Sequence, residues 1–237
     1  MNASELRVQI FADGADRAGI ERLARDPIIS GFTTNPTLMR ASGVSDYEAF
    51  AREVLTVVGE RPISFEVFAD DFDGMIRQGR RIAAWGPQVF VKIPVTDTRG
   101  KPTSDVLRTL SSEGVQLNVT AMTTPEQVQQ AVQCLDPGAR HFVSLFAGRI
   151  ADTGRDPLPL VRRCVEILEA RPETRLIWAS PREILNVVQA DEVGCHVITV
   201  THDLLKKLPL LGKDLVEYSL ETVQMFHGDG ISAGFQL

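Results

Sequence analysis

Residues 89–93 have the sequence Val-Phe-Val-Lys-Ile, an apolar run interrupted by one charged residue. A strand that is apolar at nearly every position is typical of a parallel sheet covered on both faces, because neither face meets water. Eight such runs occur along the chain, at Val8–Ala12, Ile29–Thr33, Ile63–Phe68, Val89–Ile93, Val115–Val119, His141–Phe146, Arg175–Ala179 and His196–Thr199. A turn and a longer amphipathic stretch follow most of them, which predicts an α/β fold with a parallel sheet.

The stretches between these runs have the apolar spacing and the end residues of helices. Predicted helices cover Asp46–Val58, Asp71–Trp85, Thr103–Ser112, Pro125–Val132 and Pro157–Ala170. Ser45 or Asp46 can cap the first of these, and Thr124 places a capping hydroxyl before a proline at the first helical position. Eight β/α alternations in about 200 residues fit a closed barrel better than an open sheet. We therefore predict a (β/α)8 TIM barrel.

No Pro/Gly/Ser-rich linker, charge block or short repeat interrupts the 237 residues, so we predict a single domain over 1–237 with the barrel at about 8–208. The remainder, 209–237, is predicted to hold an additional C-terminal helix. Leu204–Leu208 can form a short helix, and a further amphipathic helix is expected within Lys213–Phe226, followed by a Gly-rich tail at Gly228–Leu237. We interpret the tail as a packing or subunit-contact element.

Composition excludes several classes of protein. Hydrophobic residues make up 43% and charged residues 24%, which is typical of a globular chain and excludes a disordered one. No apolar run approaches the ~18 residues of a membrane helix, and the first residues lack the pattern of a signal peptide. The net charge of −6 argues against a general nucleic-acid binder. These features predict a cytoplasmic protein with neither membrane nor nucleic acid as a partner.

The sequence shows no pattern of metal ligands. Its three cysteines, Cys134, Cys164 and Cys195, are widely spaced and are expected to be reduced core residues. His141, His196 and His202 do not have zinc-ligand spacing. The acidic cluster at 70–73 is interpreted as an exposed helix start.

Polar side chains end or interrupt seven of the eight predicted strands. In a barrel of this kind the active site lies where strands end and the following loops begin. The residues at these positions are Asp13, Thr33, Thr34, Asn35, Glu66, Lys92, Asn118, Thr120, Ser144, Arg149, Ser180 and Arg182. They are predicted to converge on one face of the barrel.

Lys92 is the most informative of these residues, because it alone among five lysines lies in an apolar run. A buried, unpaired ammonium group is costly, so such a lysine is either paired with a carboxylate or present as the neutral amine. A neutral, desolvated amine attacks carbonyl groups and forms a Schiff base. Both hypotheses stay open on the residues alone: a nucleophile, or a structural ion pair with Glu66.

The carboxylates and arginines have similar double interpretations. Asp13 and Glu66 supply the two carboxyl groups that proton transfer around a Schiff base requires, but Asp13 could instead cap the first helix. Arg149 and Arg182 follow the sixth and seventh strands, where barrels often hold a phosphate, and Ser180 could add a hydroxyl donor. Ordinary surface arginines are the alternative for both.

Five short motifs occur in fixed order: FTTNPT at 32–37, FEVFAD at 65–70, VFVKIPVT at 89–96, GVQLNVT at 114–120 and SLFAGRIAD at 144–152. Together they resemble the transaldolase and fructose-6-phosphate aldolase family, and the resemblance extends from about Val8 to Leu208. Several motifs in one order are far more specific than any single one. The resemblance implies a class I, Schiff-base aldolase barrel that acts on small-molecule sugar phosphates and needs no metal or cofactor.

The resemblance also implies a role for each strand-end residue. Lys92 would be the Schiff-base lysine and Asp13 the acid/base group for the substrate hydroxyl proton. Glu66 and Thr120 would hold and activate the catalytic water. The implied substrate-binding residues are Thr34, Asn35, Asn118, Ser144 and Phe146, and those implied to hold the phosphate are Arg149, Ser180 and Arg182.

Two positions favour the transaldolase branch of the family. The aldolases of the family typically have Gln at the position of Glu66 and Tyr at the position of Phe146. Departures from the transaldolase pattern occur in NVTAMTT at 118–124, at Pro181 and in ADGAD at 12–16. They point to a specialised transaldolase that makes an unusual longer-chain sugar phosphate. A homo-oligomer, with a decamer as one candidate, is implied as well. The alternatives are an aldolase that releases free dihydroxyacetone and a non-catalytic sugar-phosphate binding barrel.

Overall fold

Eight parallel strands close into a barrel in chain order in the computed structural model, which describes residues 3–234 and residue 236. Each strand pairs with the next, and the last pairs with the first. The strands are β1 (Gln9–Asp13), β2 (Ile29–Thr33), β3 (Ile63–Glu66), β4 (Val89–Pro94), β5 (Leu117–Met122), β6 (His141–Leu145), β7 (Thr174–Trp178) and β8 (Val197–Thr201). This confirms the predicted (β/α)8 barrel.

Helices surround the strands and connect them. They are α1 (Arg17–Leu23), α2 (Pro36–Ala41), α3 (Tyr47–Val58), α4 (Phe72–Ala83), α5 (Ser104–Ser112), α6 (Pro125–Val132), α7 (Ala147–Asp152), α8 (Leu158–Leu168), α9 (Leu185–Glu192), α10 (His202–Leu205) and α11 (Leu215–Ser232). Short 3-10 turns lie at Ala3–Glu5 and Leu208–Leu210. The additional C-terminal helix is therefore confirmed as α11.

Side chains cap several helices as the sequence predicts. Asp46 accepts a hydrogen bond from the backbone of Ala49, and Thr124 forms a capping box at the start of α6. The prediction that Asp13 could cap the first helix is wrong, because Asp16 does so by accepting from the Gly19 amide. Asp13 is thereby left available to the barrel interior.

Seven of the eight strands begin or end one to three residues from the predicted bounds, and only β2 matches its prediction. Two of these differences have clear local reasons. β5 begins at Leu117 because the Val115 amide donates to Leu110, closing the turn after α5 through Gly114 at φ +81°. β3 ends at Glu66 because the Phe68 amide donates to the Gln78 side chain of α4. Glu66 is thereby the last residue of β3, whereas Asn118 becomes the second residue of β5 and no longer lies near its end.

The predicted C-terminal segments also need correction. The expected helix at Leu204–Leu208 is α10, which begins two residues earlier and is followed by the turn at Leu208–Leu210. α11 continues to Ser232 and includes Gly228 and Gly230, which were assigned to a Gly-rich tail after the helix. Each glycine costs the helix only about 1 kcal/mol. Phe235 and Leu237, at the end of the predicted tail, lie outside the described residues.

Two apolar clusters hold the barrel together. The larger one fills the space between strands and helices. The smaller one fills the barrel interior with Phe11, Phe90, Phe142, Ile177 and Val197, and two of its aromatic pairs have ring centroids 5.5 and 4.4 Å apart. The interior is therefore closed below the C-terminal ends of the strands.

The cysteines are buried and free, as predicted. Burial raises the thiol pKa of both Cys164 and Cys195 to about 12, which leaves little reactive thiolate at neutral pH. Among the described residues, no helix combines the length and apolar character that crossing a bilayer demands.

Candidate active site

A cavity of about 640 Å³ opens at the C-terminal ends of the strands, where the sequence places the site. Ten of the twelve residues to which the family resemblance assigns a role line it: Asp13, Asn35, Glu66, Lys92, Thr120, Ser144, Phe146, Arg149, Ser180 and Arg182. The other two, Thr34 and Asn118, are fully buried behind the cavity wall. The strand ends therefore bring together nearly all of the predicted residues.

Lys92 lies in β4 with only 6% of its surface exposed. Its register partners are Glu66 on β3 and Asn118 on β5. The amine Nζ donates to the backbone carbonyl of Thr34 at 2.9 Å. No carboxylate of the described residues lies within ion-pair distance of it. The structural Lys92–Glu66 ion pair therefore does not form, and the amine faces the cavity.

Asp13 ends β1 and is held by its neighbour in the sheet. Thr33, its register partner on β2, donates its hydroxyl to Asp13 Oδ1 at 2.8 Å, and Thr199 hydrogen bonds with Thr33 in turn. Burial raises the pKa of Asp13, against the lowering effects of Lys92, of the Thr33 hydroxyl and of His202. A carboxyl group in this environment can both accept and return a proton.

Glu66 is the second buried carboxyl group beside Lys92. Burial raises its pKa, Lys92 lowers it, and Asp13 raises it further. The Tyr47 hydroxyl donates to the backbone carbonyl of Glu66 at 2.8 Å and fixes the end of β3. Lys92 thus interacts electrostatically with two carboxyl groups whose neutral forms are both favoured by burial.

Thr120 lines the same cavity as Lys92 and Glu66, and its hydroxyl group has no hydrogen-bond partner there among the described residues. Its Oγ1 is buried. The next residue, Ala121, has a left-handed backbone at φ +64°, and the pairing of β5 with β6 is irregular at this point. Such strain costs on the order of 1–3 kcal/mol and persists mainly at functional sites. The hydroxyl is available to bind a water molecule or a substrate atom.

A chain of hydrogen bonds across three strands fixes Ser144. Its hydroxyl donates to Asn118 Oδ1 at 2.8 Å, and Asn118 Nδ2 donates to Ser64 Oγ at 2.9 Å. Asn118 therefore orients Ser144 from behind and does not itself line the cavity. Sequence reasoning missed Ser64, although it lies two residues before Glu66 and so on the same face of β3.

Thr34 and Asn35 lie at the end of β2 and act in different ways. The Thr34 hydroxyl donates to the Ser64 carbonyl at 3.0 Å, so this residue reaches the site only through the carbonyl that binds Lys92. Asn35 caps α2 by accepting from the Leu38 amide at 3.0 Å. Its side chain lines the cavity, and its amide donors remain available to a ligand.

Two arginines lie together at one end of the cavity. The loop after β7 reaches α7 because residue 148 is glycine: a Cβ there would lie only 1.5 Å from the Ser180 carbonyl oxygen. Ser180 itself has φ +62°. Arg182 pairs with Asp152, and the Arg149 guanidinium lies 5.5 Å from the centroid of the Phe146 ring. Sequence reasoning missed Asp152, which the fold alone brings close to Arg182.

Comparison with known structures agrees with the barrel. A putative dihydrodipicolinate synthase family protein from Coccidioides immitis superposes with a TM-score of 0.63 at 12% identity, over 98% of this chain and 80% of that chain. Dihydrodipicolinate synthase from Thermotoga maritima gives a TM-score of 0.60 at 12% identity, over 95% and 81%. At this identity the likeness concerns the fold alone.

Sequence comparison gives the family. The profile of the Transaldolase/Fructose-6-phosphate aldolase family matches residues 10–233. Among curated relatives, a "Probable transaldolase" of Dehalococcoides mccartyi is 37% identical over 85% of this chain and 90% of its own length. Another, of Clostridium acetobutylicum, is 37% identical over 85% and 89%. With its lysine, carboxyl and arginine positions gathered in one cavity, the chain belongs to the transaldolase/fructose-6-phosphate aldolase family.

Proposed function

We propose that this protein is a transaldolase that transfers a dihydroxyacetone unit from a ketose phosphate to an aldose phosphate. The observation that carries the proposal is the buried Lys92 amine, which faces the cavity beside the buried carboxyl groups of Asp13 and Glu66. A protein that only binds sugar phosphates has no need for this costly arrangement. The names of the relatives support the same activity.

Schiff-base formation begins with attack of the Lys92 amine on the ketone carbon of the donor. The carbinolamine then loses its hydroxyl group as water, and Glu66 supplies the proton while Thr120 holds the water. A carboxyl group with a raised pKa suits this step, because it can be protonated near neutral pH. The product is an iminium ion on Lys92.

Carbon–carbon cleavage follows, with the iminium ion as the electron acceptor. Asp13 takes the proton of the substrate hydroxyl, the carbon–carbon bond breaks, and the aldehyde fragment leaves. The dihydroxyacetone unit remains on Lys92 as an enamine, beside Ser144. When an aldose phosphate enters, the enamine carbon attacks its aldehyde and Asp13 returns the proton, so the bond forms in the reverse sense. Glu66 then takes a proton from the water at Thr120, which adds to the iminium ion, and the new ketose phosphate leaves Lys92 as the free ketone.

The arginine end of the cavity holds the phosphate. Arg149 and Arg182 present two guanidinium groups beside the Ser180 hydroxyl, and planar guanidinium groups bind phosphate oxygens in a bidentate manner. Arg182 exchanges its surface pair with Asp152 for the phosphate. Since 48% of the Arg182 side chain is exposed in that pair, the exchange costs little.

Phe146 favours transfer over release of free dihydroxyacetone. Its ring lines the cavity and carries no hydroxyl that could protonate the enamine. The Arg149 guanidinium also lies against the ring. The enamine is therefore kept until an acceptor arrives, and the aldolase alternative is disfavoured.

The acceptor is proposed to be an aldose phosphate that yields a longer-chain sugar phosphate. Ala121, Thr123 and Pro181, which depart from the transaldolase pattern, all line the cavity. They share this cavity with Lys92 and the arginines, so we propose that they shape the space for the acceptor. A panel of four- and five-carbon aldose phosphates, assayed with one donor, measures this preference directly.

We propose that the active form is a cytoplasmic homo-oligomer assembled through α11. This helix buries none of its own residues and leaves Leu215, Val216, Leu220, Val223, Met225, Phe226 and Ile231 exposed. A second copy of the chain would cover them. Analytical ultracentrifugation of the native chain and of Phe226→Glu tests this: the variant should sediment as a smaller species, and equal masses overturn the proposal.

Borohydride trapping tests the Schiff base itself. The enzyme is incubated with fructose 6-phosphate, reduced with borohydride and mapped by peptide mass. A three-carbon adduct should appear on Lys92, should persist in the control Lys101→Ala, and should vanish in Lys92→Ala. An adduct on another lysine, or none at all, overturns the proposed mechanism.

Acceptor dependence separates transfer from simple cleavage. Turnover of fructose 6-phosphate is followed with and without an aldose phosphate, and free dihydroxyacetone is measured in both cases. Turnover that requires the acceptor supports transaldolase. Equally fast release of dihydroxyacetone without acceptor contradicts it and supports the aldolase alternative.

A further inference from the structure

His202 fills a space that two glycines leave open beside the active site. It is the first residue of α10, directly after β8, and it is half-buried. A Cβ on Gly14 would lie 2.4 Å from His202 Nε2, and a Cβ on Gly19 would lie 2.4 Å from Nδ1. Real Cβ atoms do not approach other atoms so closely, so a side chain at either position would require the imidazole ring to move.

The ring lies against the backbone that carries Asp13. Asp13 and Thr201 are register partners in the β1–β8 pair, so Gly14 and His202 are the next residue of each strand beyond that pair. The Gly14 amide donates to the Thr33 carbonyl at 3.1 Å, which ties the same backbone to β2. The imidazole therefore fixes the end of β1 between β8 and α1.

His202 is also part of the charge environment of Asp13. Its Nε2 is buried and has no hydrogen-bond partner within the part of the chain that the structure describes. The titratable and charged groups around the ring are Asp13, Asp16, Arg22, Asp26, Asp203 and Lys206. The pKa of His202 is lowered, because burial and Arg22 lower it more than Asp16, Asp13 and Asp203 raise it. Conversely, the imidazolium form lowers the pKa of Asp13.

We propose that His202 is a positioning residue for Asp13, which fixes the end of β1 through Gly14 and, when protonated, favours the ionised carboxylate. The role rests on the proposed function of Asp13 as the acid/base group. It fits the sequence ADGAD at 12–16, because a serine or threonine at position 14 would displace the imidazole ring from this place. Gly14 and His202 thus form a matched pair.

The protonated ring extends activity to lower pH. Cleavage needs Asp13 as a carboxylate, and burial alone favours the neutral acid. When the pH falls and His202 gains a proton, the new cation opposes protonation of Asp13. The acid limb of kcat/KM therefore lies at a lower pH than it would without the histidine.

The first test compares pH profiles of His202→Gln and His196→Asn. His196 is a suitable control, because it is half-buried at the opposite end of the same strand region and its pKa is also lowered by burial. The acid limb of kcat/KM should move up by on the order of half to one pH unit in His202→Gln and stay in place in the control. An unmoved limb, or a loss of activity by one factor at every pH, overturns the proposal.

The second test uses the steric pairing with Gly14. Gly14→Ser should lower kcat at least about tenfold with a smaller effect on KM. The double variant Gly14→Ser/His202→Ala should recover part of this loss, with folding followed by the melting temperature. If Gly14→Ser costs the same factor in both backgrounds, the two residues are not coupled and the proposal fails.

The third test needs neither turnover nor a change at His202. The imidazole resonance of His202 is titrated by NMR in the native protein and in Asp13→Asn. Because the coupling is reciprocal, loss of the carboxylate should lower the titration midpoint of His202. An equal midpoint overturns the coupling. Failure of borohydride trapping would instead overturn the proposed function and leave this titration unaffected.

Discussion

The inner surface of the barrel has an apolar layer and a polar layer that lie on the same strands. The pairs are Phe11 and Asp13 on β1, Phe90 and Lys92 on β4, and Phe142 and Ser144 on β6. Side chains two residues apart share one face of a strand and lie about 6–7 Å apart along it. The lower member of each pair packs in the barrel interior, and the upper one lines the cavity. Two positions on the same face of a strand, two residues apart, therefore serve different purposes: the lower stabilises the barrel and the upper lines the candidate active site.

The apolar layer also shapes the chemistry above it. Its aromatic rings close the barrel and keep water away from the lower side of Asp13 and Lys92. Desolvation is the largest effect on the pKa of both Asp13 and Glu66, and it favours their neutral forms. Packing below the cavity therefore prepares the carboxyl groups for proton transfer.

The largest effect on activity is expected at the polar member of the β4 pair. Lys92→Met should lower kcat/KM on the order of 10⁴-fold or more, because the covalent step is lost. The same change should leave the free energy of unfolding equal or higher, since an apolar chain of similar length replaces a buried amine. Steady-state kinetics and urea denaturation measure both. Activity within tenfold of the native enzyme would contradict the assignment of Lys92.

The opposite pattern is expected in the apolar layer. Phe142→Ala should lower the free energy of unfolding by about 3–5 kcal/mol, because it leaves a cavity beside Phe11 and Phe90. Phe68→Ala serves as the control: this ring is 63% exposed and touches Tyr47 by its edge, so about 1.5 kcal/mol or less is expected. While folded, Phe142→Ala should still form the Lys92 adduct. Loss of the adduct in a folded variant would show that the two layers are not separable.

A smaller loss of activity is expected when an arginine at the end of the cavity is replaced. Arg182→Ala removes a charge-assisted contact worth roughly 1.5–3 kcal/mol, which is about a 10- to 150-fold loss of kcat/KM. The loss should apply to fructose 6-phosphate and spare unphosphorylated fructose. Arg162→Ala, at an exposed position of α8, is the control and should change neither. Equal losses for both sugars would mean that Arg182 supports the fold and does not bind the phosphate.

Much of this arrangement follows from the sequence, because strand runs and strand ends are local features. The apolar run around Lys92 and the polar residues after each strand place the cavity without knowledge of any tertiary contact. The hydrogen bonds from Ser144 through Asn118 to Ser64 could not be predicted in this way. They depend on the register of three strands that are far apart in the chain, so Asn118 was expected in the cavity.

The contacts between loops were equally beyond prediction. Asp152 meets Arg182, and the loop after β7 contacts Gly148, only once the barrel has closed. In the same way, His202, after the last strand, meets Gly14 and Gly19, after the first strand, only when the barrel closes. Local propensity carries no information about such pairs.

Replacement of Asp13, in the polar layer, should have a smaller effect on stability, and this effect should depend on pH. The pKa of Asp13 is raised in the folded state, so ionisation of this group lowers stability above its ordinary value of 3.8. Asp13→Asn should therefore raise the free energy of unfolding at pH 7. The gain should shrink as the pH falls through the folded pKa of Asp13 toward 3.8. Urea denaturation at several pH values measures it, and a gain that grows with acidity would contradict the sign.

Phe146 is an exception to the division into an apolar and a polar layer, because this aromatic residue lines the cavity. Its replacement by tyrosine should have the smallest effect on total turnover of the changes considered. Phe146→Tyr adds one hydroxyl group beside the enamine on Lys92 and leaves the ring against Arg149. Protonation of the enamine carbon followed by hydrolysis then competes with transfer, so the share of turnover that yields free dihydroxyacetone should rise several-fold. A group positioned for proton transfer typically contributes about 10²–10⁴-fold. No contact of the native site positions the hydroxyl of Phe146→Tyr, so a smaller effect is expected and total kcat should change little. The ratio of free dihydroxyacetone to transfer product, measured in one reaction with an aldose phosphate, reports the partition.

Phe146→Leu is the matched control, because it alters the ring without adding a donor. An equal ratio in Phe146→Tyr and Phe146→Leu would show that something other than the missing hydroxyl retains the enamine.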